Sequence, residues 1–151
     1  MELTVRRATV TDARAVAQIA HDAYALYTER IGRPAAPMTV DYPVTIAAGD
    51  TWVAEADDQV QGFAVLVDRP DHLLLDNVAV SPAAQGRGVG AVLLQLADTE
   101  ARRRGHPQVR LYTNEAMTEN IDYYPRRGYV ETHRAEQDGY RRVYFTKELA
   151  G

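Results

Sequence analysis

The 151-residue sequence contains no cysteine. That excludes disulfides, thiolate metal sites and a cysteine nucleophile, and it fits a reducing compartment. Serine is almost as scarce: Ser81 is the only one, it precedes Pro82, and its surroundings lack the nucleophile-elbow pattern. With neither nucleophile on offer, a covalent acyl-enzyme is disfavoured. No run approaches the ~20 apolar residues of a membrane span, and residues 1–7 lack the apolar segment of a signal peptide. A basic excess is missing too. The net charge of -4 argues against phosphate-backbone binding and leaves cationic or neutral small molecules as the easier partners. His21, His72, His106 and His133 are scattered without ligand spacing, so no metal is expected. A soluble, cytoplasmic protein with no nucleic-acid or membrane partner is the expectation.

What is present suffices for one domain over residues 1–151. The chain is 46% hydrophobic and long enough to bury roughly 70% of the surface its unfolded form exposes. Leu3 and Val5 alternate as a first strand, and Thr9 and Asp12 are spaced as a capping box. The period then turns helical, with Val16, Ile19, Ala20, Ala23, Tyr24 and Tyr27 on one stripe. Residues 33–43 hold three prolines and read as a loop before a short helix over 44–48. Segments 51–56 and 61–67 flank a hairpin signal at Asp57-Asp58-Gln59, and 72–80 adds a third strand to the meander. A helix over 89–104 stops at Gly105 with Pro107 beyond. A strand over 109–113, a helical piece near 120–127, a strand from Tyr129, a turn at Gln137-Asp138-Gly139 and a strand over 142–146 complete a β-α-α-β-β-β-α-β-α-β-β order.

The most informative stretch is Gln85-Gly86-Arg87-Gly88-Val89-Gly90, followed by Ala91, set between a strand and a long helix. Glycine lets backbone approach a ligand and tolerates positive φ. The first helical turn offers unpaired N–H groups and the positive end of the macrodipole. Three glycines there otherwise cost helix stability at ~1 kcal/mol each, so an anion site, best filled by a pyrophosphate, is the favoured reading over a mere tight loop. Gly86, Gly88 and Ala91 also satisfy a dinucleotide pattern. That pattern, however, needs the turn directly after its strand and an acid ending the next one, whereas five residues intervene and the next strand ends in Thr113-Asn114.

These residues resemble the GNAT superfamily of acetyl-coenzyme A dependent N-acetyltransferases along essentially the whole chain. Gln85, Gly88 and Gly90 match its first signature, placed after a strand ending Val78-Ala79-Val80. Tyr124 ahead of Gly128-Tyr129, with Asn120 one helical turn upstream, matches the second. Pro125 directly follows the tyrosine, where the family usually has a charged helix former, so the structure must decide between Tyr123 and Tyr124. The resemblance implies an α/β fold with a mixed, mostly antiparallel sheet of six to seven strands flanked by helices. Its fourth and fifth strands splay apart to admit the pantetheine arm, with the backbone from Gly86 to Ala91 cradling the pyrophosphate and Arg87 adding charge.

A direct attack of an amine on acetyl-coenzyme A is therefore expected. At pH 7 well under ~1% of an alkylamine is neutral, so a base is needed. Asp76 is the candidate, since aspartate is disfavoured in a strand and shares its parity with Val78 and Val80, whereas Asn77 would face the other side. By the resemblance, the Val78 N–H serves the oxyanion and Tyr124 the leaving thiolate, while Val78, Ala79, Val80 and Asn120 contact the coenzyme. Asn120 reads equally well as a helix N-cap, Asp76 as a hydrogen-bonded structural acid, and Arg102-Arg103-Arg104 as a solvated helix end. Acceptor selection is assigned to residues 24–42 and the 137–140 turn, because loops carry specificity. The acceptor itself, a monomer or homodimer state, and a non-catalytic acyl-coenzyme A sensor or a ligand-free interaction domain are left open.

Overall fold

The computed structural model describes residues 2–150. Strand β1 (Thr4–Arg7) leads into a turn where the Asp12 carboxylate accepts the Thr9 N–H at 2.7 Å, the second half of the expected capping box. Arg6 forks onto the same carboxylate at 2.8 and 3.1 Å and holds it below its ordinary pKa. Helix α1 (Ala13–Tyr24) then buries Val16, Ile19 and Ala20, the stripe its period marks out. A single 3-10 turn joins it to α2 (Thr28–Ile31), which ends on the left-handed Gly32.

The expected loop over 33–43 is more ordered than its three prolines suggest. A 3-10 turn spans Ala36–Thr39, and α3 runs Tyr42–Ala47, two residues ahead of the expected start. Pro43 lies in its first turn, where a missing N–H costs nothing and a fixed φ suits the helix.

Strands β2 (Thr51–Ala56), β3 (Gln59–Asp68) and β4 (Leu73–Val80) form the antiparallel meander. Asp57 and Asp58 both hold left-handed φ, 54° and 61°, as a two-residue hairpin turn of matching twist requires. Helix α4 (Val89–Arg103) crosses over to β5 (Gln108–Asn114), which runs parallel to β4. Helix α5 (Thr118–Tyr123) and the hairpin of β6 (Val130–Gln137) and β7 (Tyr140–Glu148) follow. The seven strands lie in the order β1-β2-β3-β4-β5-β7-β6. One face carries α4 and α5 over Leu66, Leu73, Leu75, Leu111 and Phe145, and the other carries α1 and α3 over Val53, Phe63 and Val65. This is the mixed, mostly antiparallel α/β architecture expected.

Two irregularities in β4 shape everything downstream. Val65 opposes Asn77 while Leu66 opposes Leu75, so Asp76 is an extra residue, a β-bulge. The parallel ladder to β5 pairs only Leu73, Leu74 and Leu75 with Val109, Arg110 and Leu111. From that point the two strands part, although β4 runs on to Val80 and β5 to Asn114.

Gly62, to which the sequence reading gives no role, fixes how α4 sits on this frame. A Cβ there would lie 2.8 Å from the Ala79 carbonyl oxygen and 2.9 Å from Val89 Cγ1, closer than atoms tolerate. Gly62→Ala is therefore expected to cost about 1–3 kcal/mol, read as a lowered denaturation midpoint at unchanged m-value. Unaltered stability would show that the start of α4 can move off the sheet.

Candidate functional site

The glycine turn owes its shape to backbone geometry. Gly86 and Gly88 hold φ of 78° and 83°, a region only glycine enters freely, and Gly88 is the residue from which α4 starts. A Cβ on either would meet nothing within 4 Å, so conformation rather than crowding asks for glycine, and the space beside the turn is free. Gly90 differs. It needs no left-handed φ, and a Cβ on it would make only ordinary contacts, 3.6 Å to Tyr123 Oη and 3.8 Å to Val80 Cγ2. No contact or backbone angle within the chain requires glycine at this position, although the residue costs ~1 kcal/mol in a helix. Among the described residues, nothing accepts a hydrogen bond from the N–H groups of Gly86, Arg87, Gly88, Val89, Gly90 or Ala91. Five of these six residues, all but Arg87, wall one groove at the positive end of a 15-residue helix.

That groove is walled by Val78, Ala79 and Val80 of β4, by Gln85, Gly86, Gly88, Val89, Gly90 and Ala91 of the turn, and by Asn120 and Tyr124. Of the residues singled out for a coenzyme, only the exposed Arg87 does not line it. Arg127 does, with its guanidinium 5.2 Å from the Tyr123 ring centre. Tyr24, Tyr27 and Tyr123 are further walls of the groove; the sequence assigns the first two to the core stripe and to acceptor selection, and Tyr123 only as the alternative to Tyr124. The arginines at 102–104 lie at the far end of α4, where Arg103 and Arg104 bond the buried Glu100 at 2.7 and 3.1 Å, so they belong to the helix terminus.

The parted strands supply the groove's floor. The Ser81 N–H donates to Gln61 of β3 at 2.8 Å, and strand alternation then turns the backbone groups of Val78 and Val80 toward the gap. The Val78 carbonyl accepts the Tyr24 hydroxyl at 2.8 Å; its N–H faces the same opening. A second cleft, on the other side of the gap, shares Tyr24, Val78, Asn120 and Tyr124 with the groove. These four residues mark where the two cavities meet.

Pro125 does not disrupt the helix that carries the tyrosines. Helix α5 ends at Tyr123, Tyr124 keeps helical φ and ψ of -64° and -40°, and Pro125 opens a 3-10 turn closed by Gly128 at φ 93°. The result is a division of labour. Tyr123 looks toward Gly90, and Tyr124 packs its ring on Tyr129 and Phe145 with centroids 5.8 Å away, at the junction of the cavities. Burial pushes the Tyr24 and Tyr124 phenols above their ordinary pKa, which keeps both protonated. Asn120 is not an N-cap. It is the third residue of α5, preceded by Met117 at the cap position, and its Nδ2 donates to Thr113 Oγ1 at 3.2 Å. No side chain caps α5; Asn114 Oδ1 accepts the Ala116 N–H at 2.9 Å and closes a turn in the loop ahead of it.

The bulge also corrects the parity assigned to Asp76. Leu73 and Leu75 face α4, and so do Val78 and Val80, which an uninterrupted strand could not arrange. The extra residue resets the alternation, so Asp76 and Asn77 lie on the same side, not on opposite ones. Asp76 accepts the Tyr112 hydroxyl at 2.8 Å, and Asn77 donates to the Tyr42 hydroxyl at 2.7 Å. Both line the second cleft. A further wall is the 35–37 segment, roofed from the hairpin turn by Tyr140, whose hydroxyl donates to the Pro34 carbonyl at 2.7 Å.

A family model described as an acetyltransferase (GNAT) domain matches residues 47–131, from the end of α3 through the glycine turn and α5. No curated protein matches the chain in sequence. The PaiA N-acetyltransferase of Thermoplasma acidophilum, solved in complex with coenzyme A, has a TM-score of 0.79 at 18% identity, over 99% of this chain and 100% of that one. YncA of Salmonella typhimurium, solved with its cofactor acetyl-CoA, gives 0.75 at 23% identity over 100% and 96%. The ribosomal-protein-S18-alanine N-acetyltransferase of Escherichia coli gives 0.73 at 21% identity over 99% and 97%. At these identities the likeness is one of fold.

Proposed function

The chain belongs to the GNAT acetyltransferases, whose domain model spans more than half of it, and from that premise we propose that it moves the acetyl group of acetyl-coenzyme A onto a primary amine by direct attack in a ternary complex. The observation that carries this reading is the meeting of two cavities at a gap in the sheet. One is walled by Gly86, Gly88, Val89, Gly90 and Ala91, whose N–H groups have no partner among the described residues and suit a pyrophosphate, the other is lined by Asp76, and Tyr124 lines both. The chain's own geometry fits the coenzyme. Gly86, Gly88 and Gly90 leave a bare concavity for phosphate oxygens, and the unpaired edge of Val78 and Val80 offers an amide-rich arm the partners that β5 no longer provides.

In the transfer a nitrogen–carbon bond forms, the carbon–sulfur bond breaks, one proton leaves the amine and the sulfur departs as thiolate. Asp76 takes the proton, directly or through water; Tyr112 occupies its Oδ1, which leaves Oδ2 to face the cleft. The Val78 N–H stabilises the developing oxyanion. Tyr124 serves the thiolate as a hydrogen-bond donor. An unperturbed phenol near pKa ~10 already makes full proton transfer to a thiolate near ~8.5 uphill by about 2 kcal/mol, and burial of Tyr124 raises that cost.

Coenzyme placement is tested by Gly90→Asp. Asp in the first turn of a helix favours the fold, and the position has room for a side chain, so the variant is expected to fold while charge and bulk oppose the pyrophosphate. Wild-type protein should gain ~2.7 kcal/mol from coenzyme A at 100 times its dissociation constant, and Gly90→Asp should gain almost none. An equal gain in both would put the coenzyme elsewhere.

Turnover separates the side-chain roles. Asp76→Asn is expected to lower kcat/KM for a basic amine by ~10² to 10⁴, and Tyr124→Phe to lower kcat and kcat/KM together, the mark of an interaction made in the transition state, with coenzyme affinity retained in both. Tyr123→Phe should keep kcat. Loss in Tyr123→Phe with retention in Tyr124→Phe would reverse the two tyrosines, and thiol release absent from the wild type across an amine panel would leave a coenzyme-binding sensor.

A further inference from the structure

Two side chains among the residues that line the acceptor cleft are charged, and they carry opposite signs: Asp76 and Arg142. Arg142 is 9% exposed and reaches the cleft from β7. Its guanidinium lies 4.2 Å from the centre of the Tyr112 ring and 5.9 Å from that of Tyr140. Its one hydrogen bond runs from Nη1 to the Gln137 side-chain oxygen at 2.8 Å, and it pairs with no carboxylate among the described residues. The neighbouring acid is already engaged: Glu115 sits 3.4 Å from Arg134 and 3.8 Å from Arg141.

Only Nη1 of this guanidinium has a partner among the described residues, and a neutral one, so its other donors are open to a ligand that enters the cleft. The flat fork of Arg142 suits a carboxylate held by two parallel hydrogen bonds. Asp76 does not supply that carboxylate. Tyr112 stands between them, its hydroxyl on Asp76 and its ring beneath Arg142, so the two charges are set apart by about the length of a phenol. On the side of the 35–40 segment the walls are Ala35, Ala36, Pro37 and Val40, which carry no charge and little bulk.

We propose that the amine acceptor is an amino acid, whose ammonium group is drawn to Asp76 and whose carboxylate is clamped by Arg142, with a small apolar side chain against the 35–40 loop. The inference rests on the acetyltransferase reading above and narrows it: polyamines, which would set a cation against Arg142, are rejected, and so are amines without an acid group. Tyr112 is a positioning residue in this scheme, its hydroxyl on the Asp76 carboxylate and its ring against the Arg142 guanidinium.

The test is thiol release from acetyl-coenzyme A with the twenty standard amino acids, each assayed beside its α-amide and its decarboxylated amine. The expected result is a preference of about 10- to 100-fold in kcat/KM for the free acid of at least one set, with the gap closing in Arg142→Met. Because that variant exchanges a packed side chain, Arg142→Lys is run with it; a retained charge without the planar fork should recover part of the preference, which a merely structural role would not predict. Amides or amines turned over as well as the acids, or a preference that survives in Arg142→Met, overturn the carboxylate clamp and leave the transferase reading standing. Silence from every acceptor, spermidine and lysine-containing peptides included, overturns the transferase reading and the inference together.

Discussion

The site depends on the place where β4 stops pairing with β5. A sheet seldom leaves backbone donors and acceptors unmatched in its middle, because each buried unpaired group forfeits a hydrogen bond. Here the ladder ends after Leu75 and Leu111, and the very next residue of β4 is the bulge at Asp76. A bulge bends its strand and sharpens the local twist, so the extra residue both turns β4 away from β5 and brings two polar side chains, Asp76 and Asn77, to one side. The edge that remains unpaired, at Val78 and Val80, is partly covered by the Tyr24 hydroxyl. The rest is a slot shaped for peptide-like hydrogen bonding.

Other features serve that slot. Gly62 lets α4 seat closely on β3 and β4, which sets the glycine turn at one mouth of the gap. The positive φ of Gly86 and Gly88 lets the chain turn into α4 along the wall of the groove. Aromatic packing of Tyr124 on Tyr129 and Phe145 anchors the phenol at the junction, and the Pro125 turn ends α5 just as its side chain arrives there. On the opposite mouth, the 33–37 loop is strapped to the β6–β7 turn by Tyr140 and by Arg33, which donates to the Asp138 carbonyl at 3.2 Å. The two cavities are thus held by different parts of the fold and share only the gap.

Much of this was legible in the sequence, and the failures have local causes. Periodicity located α1 and α4, the Gly105 and Pro107 pair ended α4, and the glycine spacing marked the turn, since each of these signals acts within a few residues. Alternation failed at Asp76 because a one-residue bulge inverts every parity assigned across it, and a bulge has no composition of its own. Asn120 was ambiguous for a different reason: asparagine favours caps, and a contact with Thr113 seven residues away is invisible to any capping rule. Pro43 shows the same residue type acting as a helix starter where a cluster of prolines suggests a loop. Arg142 gave no signal at all. Its meaning comes from Tyr112 on the adjacent strand and from the absence of a nearby carboxylate, both properties of the assembled sheet.

The central claim, that the parted strands and the glycine turn form one continuous slot for coenzyme A, is tested most directly by amide hydrogen exchange with and without coenzyme A. Protection is expected at Val78 and Val80 and at Gly86 through Ala91, with the amides of β6, on the far edge of the sheet, unchanged. Protection confined to other segments, or no change at the β4 edge while the ligand is bound, would contradict the account.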